Sequence, residues 1–221
     1  MLVKIFITGL PGSGKSTAYR GIRRYVEGLN RSWHVLRIND YDLLKAMCMV
    51  DTKPKKFRLT KYKGFIVKDF SVLDEALKEA RTRIETHKSS ATNEFIVIEF
   101  ARNDYKHAFK QFGGDILQDA YFLFIEAKKS ICLKRLKERV TRPLTPDNHY
   151  VSSYIFQSYY RIDLQDTPSD LKADYGINDQ HILIIDNNGL ELDLIAQIEQ
   201  FVAAILEQEE VRNPNTILES Y

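Results

Sequence analysis

The chain has 221 residues, of which 44% are hydrophobic and 28% are charged, and its formal net charge is +2. These values are ordinary for one soluble globular domain, and the small net charge argues neither for nor against a nucleic-acid partner. No apolar run approaches the roughly 18 residues that a membrane span needs. Cys48 and Cys132 lack metal-site spacing, which predicts reduced, buried thiols in a cytoplasmic protein.

An apolar stretch at residues 2–7 predicts the first strand, and it leads directly into a glycine-rich loop, which argues against a signal peptide. The loop reads GLPGSGKST over residues 9–17, and a helix is predicted from about 15 to 30. Strand, loop and helix in this order are the context in which G-x-x-x-x-G-K-[ST] predicts a phosphate-binding loop. The glycines let successive backbone N–H groups point into one concavity, at the positive end of the helix dipole. The chain is therefore expected to bind a nucleoside triphosphate.

The residues of this loop have distinct predicted roles. Lys15 would reach the β- and γ-phosphates, and the Ser16 hydroxyl would ligate Mg²⁺. The other loop residues predicted to contact the nucleotide are Gly9, Pro11, Gly12, Ser13, Gly14 and Thr17. ATP and Mg²⁺ are therefore the expected cofactors.

The rest of the chain alternates short apolar strands with helices. Further strands are predicted at residues 35–38, 95–98, 120–125 and 182–185. Helices are predicted at about 43–50, 71–87, 104–112, 129–142, 151–164 and 190–207. This alternation predicts a three-layer α/β fold, a doubly wound parallel five-stranded sheet with helices on both faces. We expect a single domain over residues 1–210 and a tail over 211–221.

In such a sheet the ligand lies beyond the carboxyl ends of the strands, which makes charged residues there site candidates. After the third strand, Glu99 would deprotonate an acceptor hydroxyl or hold a water on Mg²⁺, because a carboxylate beside so apolar a strand needs a partner. After the second strand, Asp40 is a rival general base, and Asp42 would contact the substrate or cap the next helix. Arg102 would bind a substrate phosphate, or would pair with Glu99 or Asp104.

Three arginines, Arg135, Arg139 and Arg142, lie at i, i+4 and i+7 of one predicted helix and therefore share a face. They suit a lid, over about residues 128–165, that closes on the triphosphate and stabilises the charge of the transferring phosphoryl group. Arg161 would add a cation on the substrate side. The alternative is a solvated basic face.

The stretch over residues 51–64 is basic, carries aromatic residues and shows neither a helical nor a strand period, which predicts a mobile loop. It is either a solvated surface loop or the electropositive edge of a site for an anionic substrate. Together with its neighbours, over about residues 40–68, it would cover the acceptor.

The order of these elements resembles that of the P-loop nucleoside and nucleoside-monophosphate kinases, such as the thymidylate, adenylate and deoxynucleoside kinases. The resemblance covers roughly residues 1–205, and it rests on the phosphate loop, on Glu99 with a nearby arginine, and on the arginine-bearing helix after the fourth strand. One departure is that Arg102 lies two positions beyond the arginine of those families. Other classes have less support, because the N-K-x-D of GTPases and the transporter-ATPase signature are missing and the chain is short for a ring-forming motor ATPase.

The resemblance implies a phosphotransferase that moves the γ-phosphate of Mg²⁺-bound ATP to a nucleoside, nucleotide or similar small acceptor. One alternative is a kinase of RNA or DNA ends, in which the basic loop at 53–63 tracks a phosphodiester backbone. Another is a nucleotide-dependent switch or ATPase without kinase activity. The expected partners are a nucleoside triphosphate and a small phosphoryl acceptor; nucleic acid is not favoured, and no membrane is expected.

Overall fold

The computed structural model describes residues 1–29, 33–53, 55–60, 64–89, 91–139, 141, 147, 151–160 and 166–212. The strands in this part of the chain are β1 (Leu2–Thr8), β2 (Trp33–Asn39), β3 (Phe57–Leu59), β4 (Phe65–Val67), β5 (Asn93–Phe100), β6 (Ala120–Glu126) and β7 (Ile182–Asp186). The helices are α1 (Lys15–Gly28), α2 (Asp40–Val50), α3 (Ser71–Thr86), α4 (Tyr105–Lys110), α5 (Gly114–Leu117), α6 (Lys129–Arg139), α7 (Ser153–Ser158), α8 (Thr167–Tyr175) and α9 (Glu191–Arg212). None of these described helices has the length and apolarity that crossing a membrane requires.

Five strands form one parallel sheet in the order β2-β5-β1-β6-β7, which confirms the predicted α/β fold with a doubly wound sheet. The central strand is β1, where Ile5 is in register with Val97 of β5 and Tyr121 of β6. The chain passes to one side of β1 to form β2 and β5, and to the other side to form β6 and β7. The loop after β1 therefore opens at the point where the winding changes direction, which is where such sheets bind ligands.

The sheet separates two apolar layers, because successive residues of a strand point to opposite faces. Phe6 and Ile98 belong to the layer that α2, α3, α4 and α8 cover. Ile5 and Val97 belong to the layer that α1 and α9 cover. The central strands β1, β5 and β6 are therefore largely buried on both faces, and polar side chains of the site approach from the strand ends or from the edge strand β2.

The basic stretch at 51–64 differs from its predicted structure. The strands β3 and β4 pair in antiparallel fashion, and Phe57 is buried with its ring edge-on to Phe65, at 5.5 Å between centroids. Asp51 Oδ2 accepts hydrogen bonds from the backbone N–H groups of Lys56 and Phe57, each at 3.0 Å. The prediction of a loop without strands is wrong for the described residues, because strands of three residues are too short to show a period of two. Residues 54 and 61–63 lie outside the described part.

The predicted limits of the domain stay a prediction. The last helix, α9, continues to Arg212 and so enters the segment assigned to the tail. Residues 213–221 lie outside the described part of the chain.

The packing of Phe6 gives the first testable prediction. Its ring stacks on Phe122 at 5.5 Å between centroids and meets Phe112 edge-on at 4.8 Å. Phe6→Ala should lower the free energy of unfolding by about 3–5 kcal/mol, because the buried ring is lost and a cavity remains. Leu192→Ala on the exposed start of α9 is the control and should change it by less than about 0.5 kcal/mol. Urea denaturation measures both, and equal losses would contradict this account of the core.

Candidate active site

The loop between β1 and α1 has a conformation that only glycine adopts at low cost. Gly9 and Gly12 have φ angles of 146° and 84°, where residues with a side chain are strained. A Cβ on Gly9 would lie 2.3 Å from the carbonyl oxygen of Ile125, and one on Gly12 would lie 2.7 Å from that of Cys132. The loop backbone is thus packed directly against the end of β6 and the first turn of α6.

The positive end of α1 is available to an anion. The helix begins at Lys15 with no side-chain cap from Gly14 and with no acidic residue in its first turn. Backbone N–H groups of a first helical turn have no partner inside the helix, and the helix dipole adds partial positive charge. This combination is a ready site for a phosphate.

The ammonium group of Lys15 is folded back onto its own loop. Its Nζ donates to the carbonyl oxygens of Gly9 at 2.9 Å and Leu10 at 3.1 Å. Burial lowers the pKa of Lys15, and the carboxylates of Glu99 and Asp40 act against that decrease. A phosphate bound in the loop would supply the full negative charge that two carbonyl oxygens cannot.

Two side chains hold the outer side of the loop. Asn187, directly after β7, donates from Nδ2 to the carbonyl oxygen of Ser13 at 2.6 Å. Arg135 of α6 donates from Nη1 to the carbonyl oxygens of Ser13 at 3.3 Å and Gly12 at 3.4 Å, and from Nη2 to that of Asn187 at 3.1 Å. Arg135 therefore braces the loop, and its contact with a triphosphate stays a prediction. Sequence reasoning missed Asn187, because nothing local distinguishes it from other turn residues.

The Ser16 hydroxyl and the Glu99 carboxylate lie in one hydrogen-bonded cluster. Ser16 Oγ donates to Glu99 Oε1 at 3.1 Å. Arg37 of β2 donates to Glu99 Oε2 from Nη2 at 2.5 Å and from Nε at 3.2 Å, and from Nη2 to Ser16 Oγ at 3.2 Å. Asn39 Nδ2 lies 3.5 Å from the same Oε2. Glu99 has the partner that its burial requires, and this partner is Arg37 rather than Arg102.

Asp147, from the segment between α6 and α7, joins the same cluster. Its Oδ1 accepts from Arg37 Nη2 at 2.7 Å, and its Oδ2 accepts from Arg20 Nη1 at 2.8 Å. Arg20 also donates to Thr17 Oγ1 at 3.0 Å. Burial alone would raise the pKa of Asp147, but the hydrogen bond and the charge of Arg37 lower it overall. The sequence contains no motif that marks Arg37 or Asp147.

A second ion pair, between Arg102 and Asp40, lies at the start of α2. Arg102 Nη1 donates to Asp40 Oδ2 at 2.5 Å and to the carbonyl oxygen of Ala101 at 2.7 Å, while Nη2 donates to that of Leu73 at 2.8 Å. Arg102 is 4% exposed, and its Nε has no hydrogen-bond partner within the described residues. A buried N–H group without a partner is unusual and is often explained by a missing ligand.

Two alternatives considered from the sequence are wrong. Arg102 does not pair with Asp104, whose side chain instead caps α4 by accepting from a backbone N–H group of that helix at 2.9 Å. Asp42 does not cap α2, because the cap is Asn39, which accepts from the backbone N–H of Tyr41 at 2.9 Å. Asp42 is exposed to solvent in the first turn of α2, and its contact with a substrate stays a prediction.

Two cavities open on either side of the phosphate loop. The first cavity, of about 970 Å³ with the space open to solvent, lies against α2, β4 and α7 and reaches Lys15 and Asp40. The second cavity, of about 830 Å³ on the same measure, lies between α1, α6 and the start of α9. Gly12, Ser16 and Arg139 line both cavities, so ligands in the two cavities would meet beside these residues.

Arg139 lies at this junction. Burial lowers the pKa of its guanidinium, and Glu99 and Asp147 act against that decrease. Arg142, Arg161 and several other residues of the predicted lid lie outside the described residues. Of the two described arginines of the predicted stripe, Arg139 lines both cavities and Arg135 lines the second.

Aromatic side chains form much of the wall of the first cavity. Tyr41 stacks on Phe65 at 5.3 Å between centroids, and Phe70 stacks on Tyr159 at 4.9 Å. Tyr160 lies edge-on to Tyr159 at 4.8 Å, and burial raises its pKa far above the ordinary value. These rings offer flat apolar faces to a ligand, with the carboxylate of Asp40 at the same cavity.

Comparison with known proteins connects these observations to a family. The sequence matches a family model described as an AAA domain over residues 5–153. A search of curated proteins found no match. The exclusion of a ring-forming motor ATPase, which rested on chain length alone, stays a prediction.

Solved structures show similar folds. The crystal structure of a gluconokinase from Sinorhizobium meliloti 1021 is 15% identical, with a TM-score of 0.52, and the match covers 95% of this chain and 97% of that chain. A shikimate kinase from Acinetobacter baumannii is 15% identical, with a TM-score of 0.48 and coverage of 92% and 94%. The tunicamycin resistance protein of Deinococcus radiodurans is 14% identical, with a TM-score of 0.46 and coverage of 91% and 96%. At 15% identity, the likeness to the gluconokinase shows the fold alone.

The predicted resemblance to P-loop kinases is confirmed at the level of the fold. The family model spans more than half of the sequence and contains both the phosphate loop and the carboxylates at the neighbouring strand ends. The chain belongs to the AAA domain family, and its fold is that of a kinase-like P-loop NTPase.

Proposed function

We propose that the protein transfers the γ-phosphoryl group of Mg²⁺-bound ATP to a small acceptor held in the first cavity. The observation that carries this proposal is the meeting of two cavities at Gly12, Ser16 and Arg139, beside the ammonium of Lys15. One cavity suits the donor because it borders the phosphate loop and the open end of α1. Catalysis of phosphoryl transfer consists mainly of positioning two substrates and neutralising charge, and both requirements suit this arrangement.

The residues beside the loop fit a magnesium ion. Mg²⁺ prefers oxygen ligands, and the Ser16 hydroxyl lies 3.1 Å from a carboxylate oxygen of Glu99. In our proposal Ser16 ligates the ion directly, and Glu99 holds one of its water molecules. The ion would supply neutralising charge to the triphosphate.

We assign the role of general base to Asp40 rather than Glu99. Both oxygens of Glu99 are engaged, one by Ser16 and the other by Arg37. The contacts of Asp40 within the described residues fall on Oδ2, from the Ala101 N–H and from Arg102, which leaves Oδ1 for an acceptor hydroxyl. The cavity that Asp40 lines is also the one that suits the acceptor.

The charges of the first cavity favour a neutral acceptor with a flat ring, such as a nucleoside. Arg102 is neutralised by Asp40, and its unpartnered Nε suits a single neutral oxygen or ring nitrogen rather than a phosphate. Of the other described cations of this cavity, Arg139 also lines the second cavity, and Lys15 belongs to the phosphate loop. The aromatic wall would stack on the ring of the acceptor.

The neutral acceptor differs from the other substrates considered. In a nucleoside monophosphate the phosphate would have to share Lys15 and Arg139 with the triphosphate of the donor, because Asp40 already neutralises Arg102. For an RNA or DNA end, the basic stretch at 51–64 offers Lys55 and Arg58, but none of its described residues lines the first cavity. The strand that lines the cavity there is β4, which is apolar. The predicted acceptor-covering segment at 40–68 keeps its role in our proposal through Tyr41, Leu44 and Phe65.

A screen of acceptors with labelled ATP tests the proposed function. Nucleosides should accept the label more efficiently than the matching monophosphates, than oligonucleotides and than gluconate or shikimate. A preference for oligonucleotides that falls steeply with salt would instead support the end-kinase alternative. Tight ATP binding without transfer to any acceptor would contradict a kinase and favour a nucleotide-dependent switch.

The role of Lys15 gives a second prediction. Lys15→Met keeps the buried stem but removes the charge, and it should lower turnover at least about 100-fold, because a charge that stabilises the transferring group is lost. Circular dichroism should show an unchanged fold. Lys78→Ala on the exposed face of α3 is the control and should turn over like the wild type. Wild-type turnover of Lys15→Met would refute the assignment.

The assignment of the base gives a third prediction. Asp40→Asn should lower turnover by about 10²–10⁴-fold with little change in ATP affinity, because proton removal from the acceptor is lost. Glu99→Gln should mainly raise the Mg²⁺ concentration needed for half-maximal rate. Each variant is the control for the other, and an exchange of the two results would return the role of base to Glu99.

A further inference from the structure

The guanidinium of Arg37 makes an unusual set of contacts. Its Nη2 donates to Glu99 Oε2 at 2.5 Å, to Asp147 Oδ1 at 2.7 Å and to Ser16 Oγ at 3.2 Å. This nitrogen carries only two hydrogens, so three acceptors share them, and the longest contact is the one to Ser16. The Arg37 side chain is 16% exposed, and it is therefore largely protected from water.

These three oxygens surround Nη2 of Arg37, next to the place where our proposed function puts a metal ion. Ser16 Oγ is the atom that our proposed function assigns to Mg²⁺, and it also donates to Glu99 Oε1. Hard oxygens from a hydroxyl and two carboxylates are the ligand type that Mg²⁺ selects. One positive charge of the protein, that of Arg37, thus already lies where another cation is expected.

Arg37 also connects this position to Asp147. The backbone of Arg37 is fixed in β2, whereas Asp147 belongs to the segment between α6 and α7. Asp147 is held from a second side by Arg20 of α1, which itself donates to Thr17 Oγ1. The carboxylate of Asp147 therefore accepts hydrogen bonds from two arginines. Of these two, Arg37 is the one that also contacts Ser16 and Glu99.

We propose that Arg37 is a resident cation that Mg²⁺·nucleotide displaces from Ser16 and Asp147, while Arg37 stays bound to Glu99. This inference rests on the proposed binding of nucleotide at the phosphate loop. Two cations cannot share the Ser16 oxygen at hydrogen-bond distance without strong repulsion, because water is largely excluded there. The bonds to Glu99 Oε2 from Nε and Nη2 let Arg37 stay anchored after it leaves the other two oxygens. Arg37 is then a positioning residue, and the loss of its hydrogen bond to Asp147 accompanies the exchange.

The side-chain Nε–Hε signal of Arg37 in ¹⁵N NMR tests the exchange in the wild-type protein. Arg37→Lys identifies the signal, and ADP is used so that no turnover occurs. ADP with a chelator should leave the Arg37 signal in place, and addition of Mg²⁺ should shift it. If the amides of residues 9–17 respond to Mg²⁺·ADP while the Arg37 signal does not, the inference is overturned and the nucleotide site survives. If those amides do not respond either, both proposals fall.

A pair of matched variants measures the competition directly. Arg37→Gln and Arg20→Gln each remove one arginine from Asp147, but only the first removes a charge from Ser16 and Glu99. Calorimetric titration of ADP at a series of Mg²⁺ concentrations gives the Mg²⁺ concentration for half-maximal tightening. Arg37→Gln should lower this concentration by about tenfold, because no internal cation has to be displaced. Arg20→Gln should leave it within about twofold of the wild type.

The same titration has two outcomes that would overturn the inference. One is an unchanged Mg²⁺ requirement in Arg37→Gln, and the other is an equal shift in Arg20→Gln, which would reflect only the general loss of positive charge. Circular dichroism checks that both variants are folded. If Arg37→Gln does not fold, the NMR experiment on the wild type decides alone.

Discussion

The buried carboxylate of Glu99 is the constraint on which the site depends. It is the last residue but one of β5, a strand that is buried from its second residue onward, so an ionised group there loses most of its hydration. Ser16, Arg37 and Asn39 replace that hydration with hydrogen bonds. Removal of one partner from a buried ion pair costs about 3–5 kcal/mol, because the other charge is left uncompensated. The fold therefore has to bring α1, β2 and β5 together at this point.

The parallel register is what meets this requirement. Asn39 of β2 and Ile7 of β1 are both in register with Glu99. Arg37 lies two residues before Asn39, and residues two apart in a strand point to the same face. Its long side chain can therefore reach the same carboxylate oxygen that Asn39 approaches. The residues after Ile7 continue into the phosphate loop and α1, and the Ser16 hydroxyl at the start of α1 donates to the other carboxylate oxygen of Glu99.

Pairing of charges also determines where positive charge remains. Arg37 is matched by Glu99 and Asp147, and Arg102 is matched by Asp40. Lys15 and Arg139 have no comparable carboxylate in direct contact within the described residues, and burial lowers the pKa of each. Cations held away from water interact more strongly with a phosphate than exposed ones do. The unmatched positive charge thus lies in the phosphate loop, at Lys15, and at the junction of the two cavities, at Arg139, where the proposed transfer needs it.

The sequence allowed the parts of this site that are local to be predicted. The phosphate loop is contiguous, so its motif could be recognised, and the rule for strand ends led to Asp40 and Glu99. Arg37 was missed because it lies within a strand rather than beyond its end. Its partners Glu99 and Asp147 are 62 and 110 residues away, so only the folded structure shows that they meet.

The fold prediction succeeded and failed along the same line, between features that the local sequence determines and those that it does not. The strands β1, β5 and β6 are buried on both faces and therefore appear in the sequence as continuous apolar runs, whereas β3 and β4 are too short for their alternation to be recognised. The N-cap is the last residue before the backbone takes helical angles, and the sequence pattern does not fix which residue that is. The helix α2 begins at Asp40, so its cap is Asn39 rather than Asp42. Partners of arginine side chains were equally beyond reach, because a long flexible side chain can contact several elements.

Asp147 places the proposed exchange on the donor side of the site. It lines the second cavity together with Arg20, and its carboxylate accepts from both Arg20 and Arg37. Arg37 is fixed in a strand at the edge of the main sheet, and Glu99 is fixed in the neighbouring strand β5. The bond between Arg37 and Asp147 is therefore the one that the proposed exchange can break without disturbing the sheet. Its loss would leave the carboxylate of Asp147 bonded to Arg20, at the cavity that the nucleotide is proposed to enter.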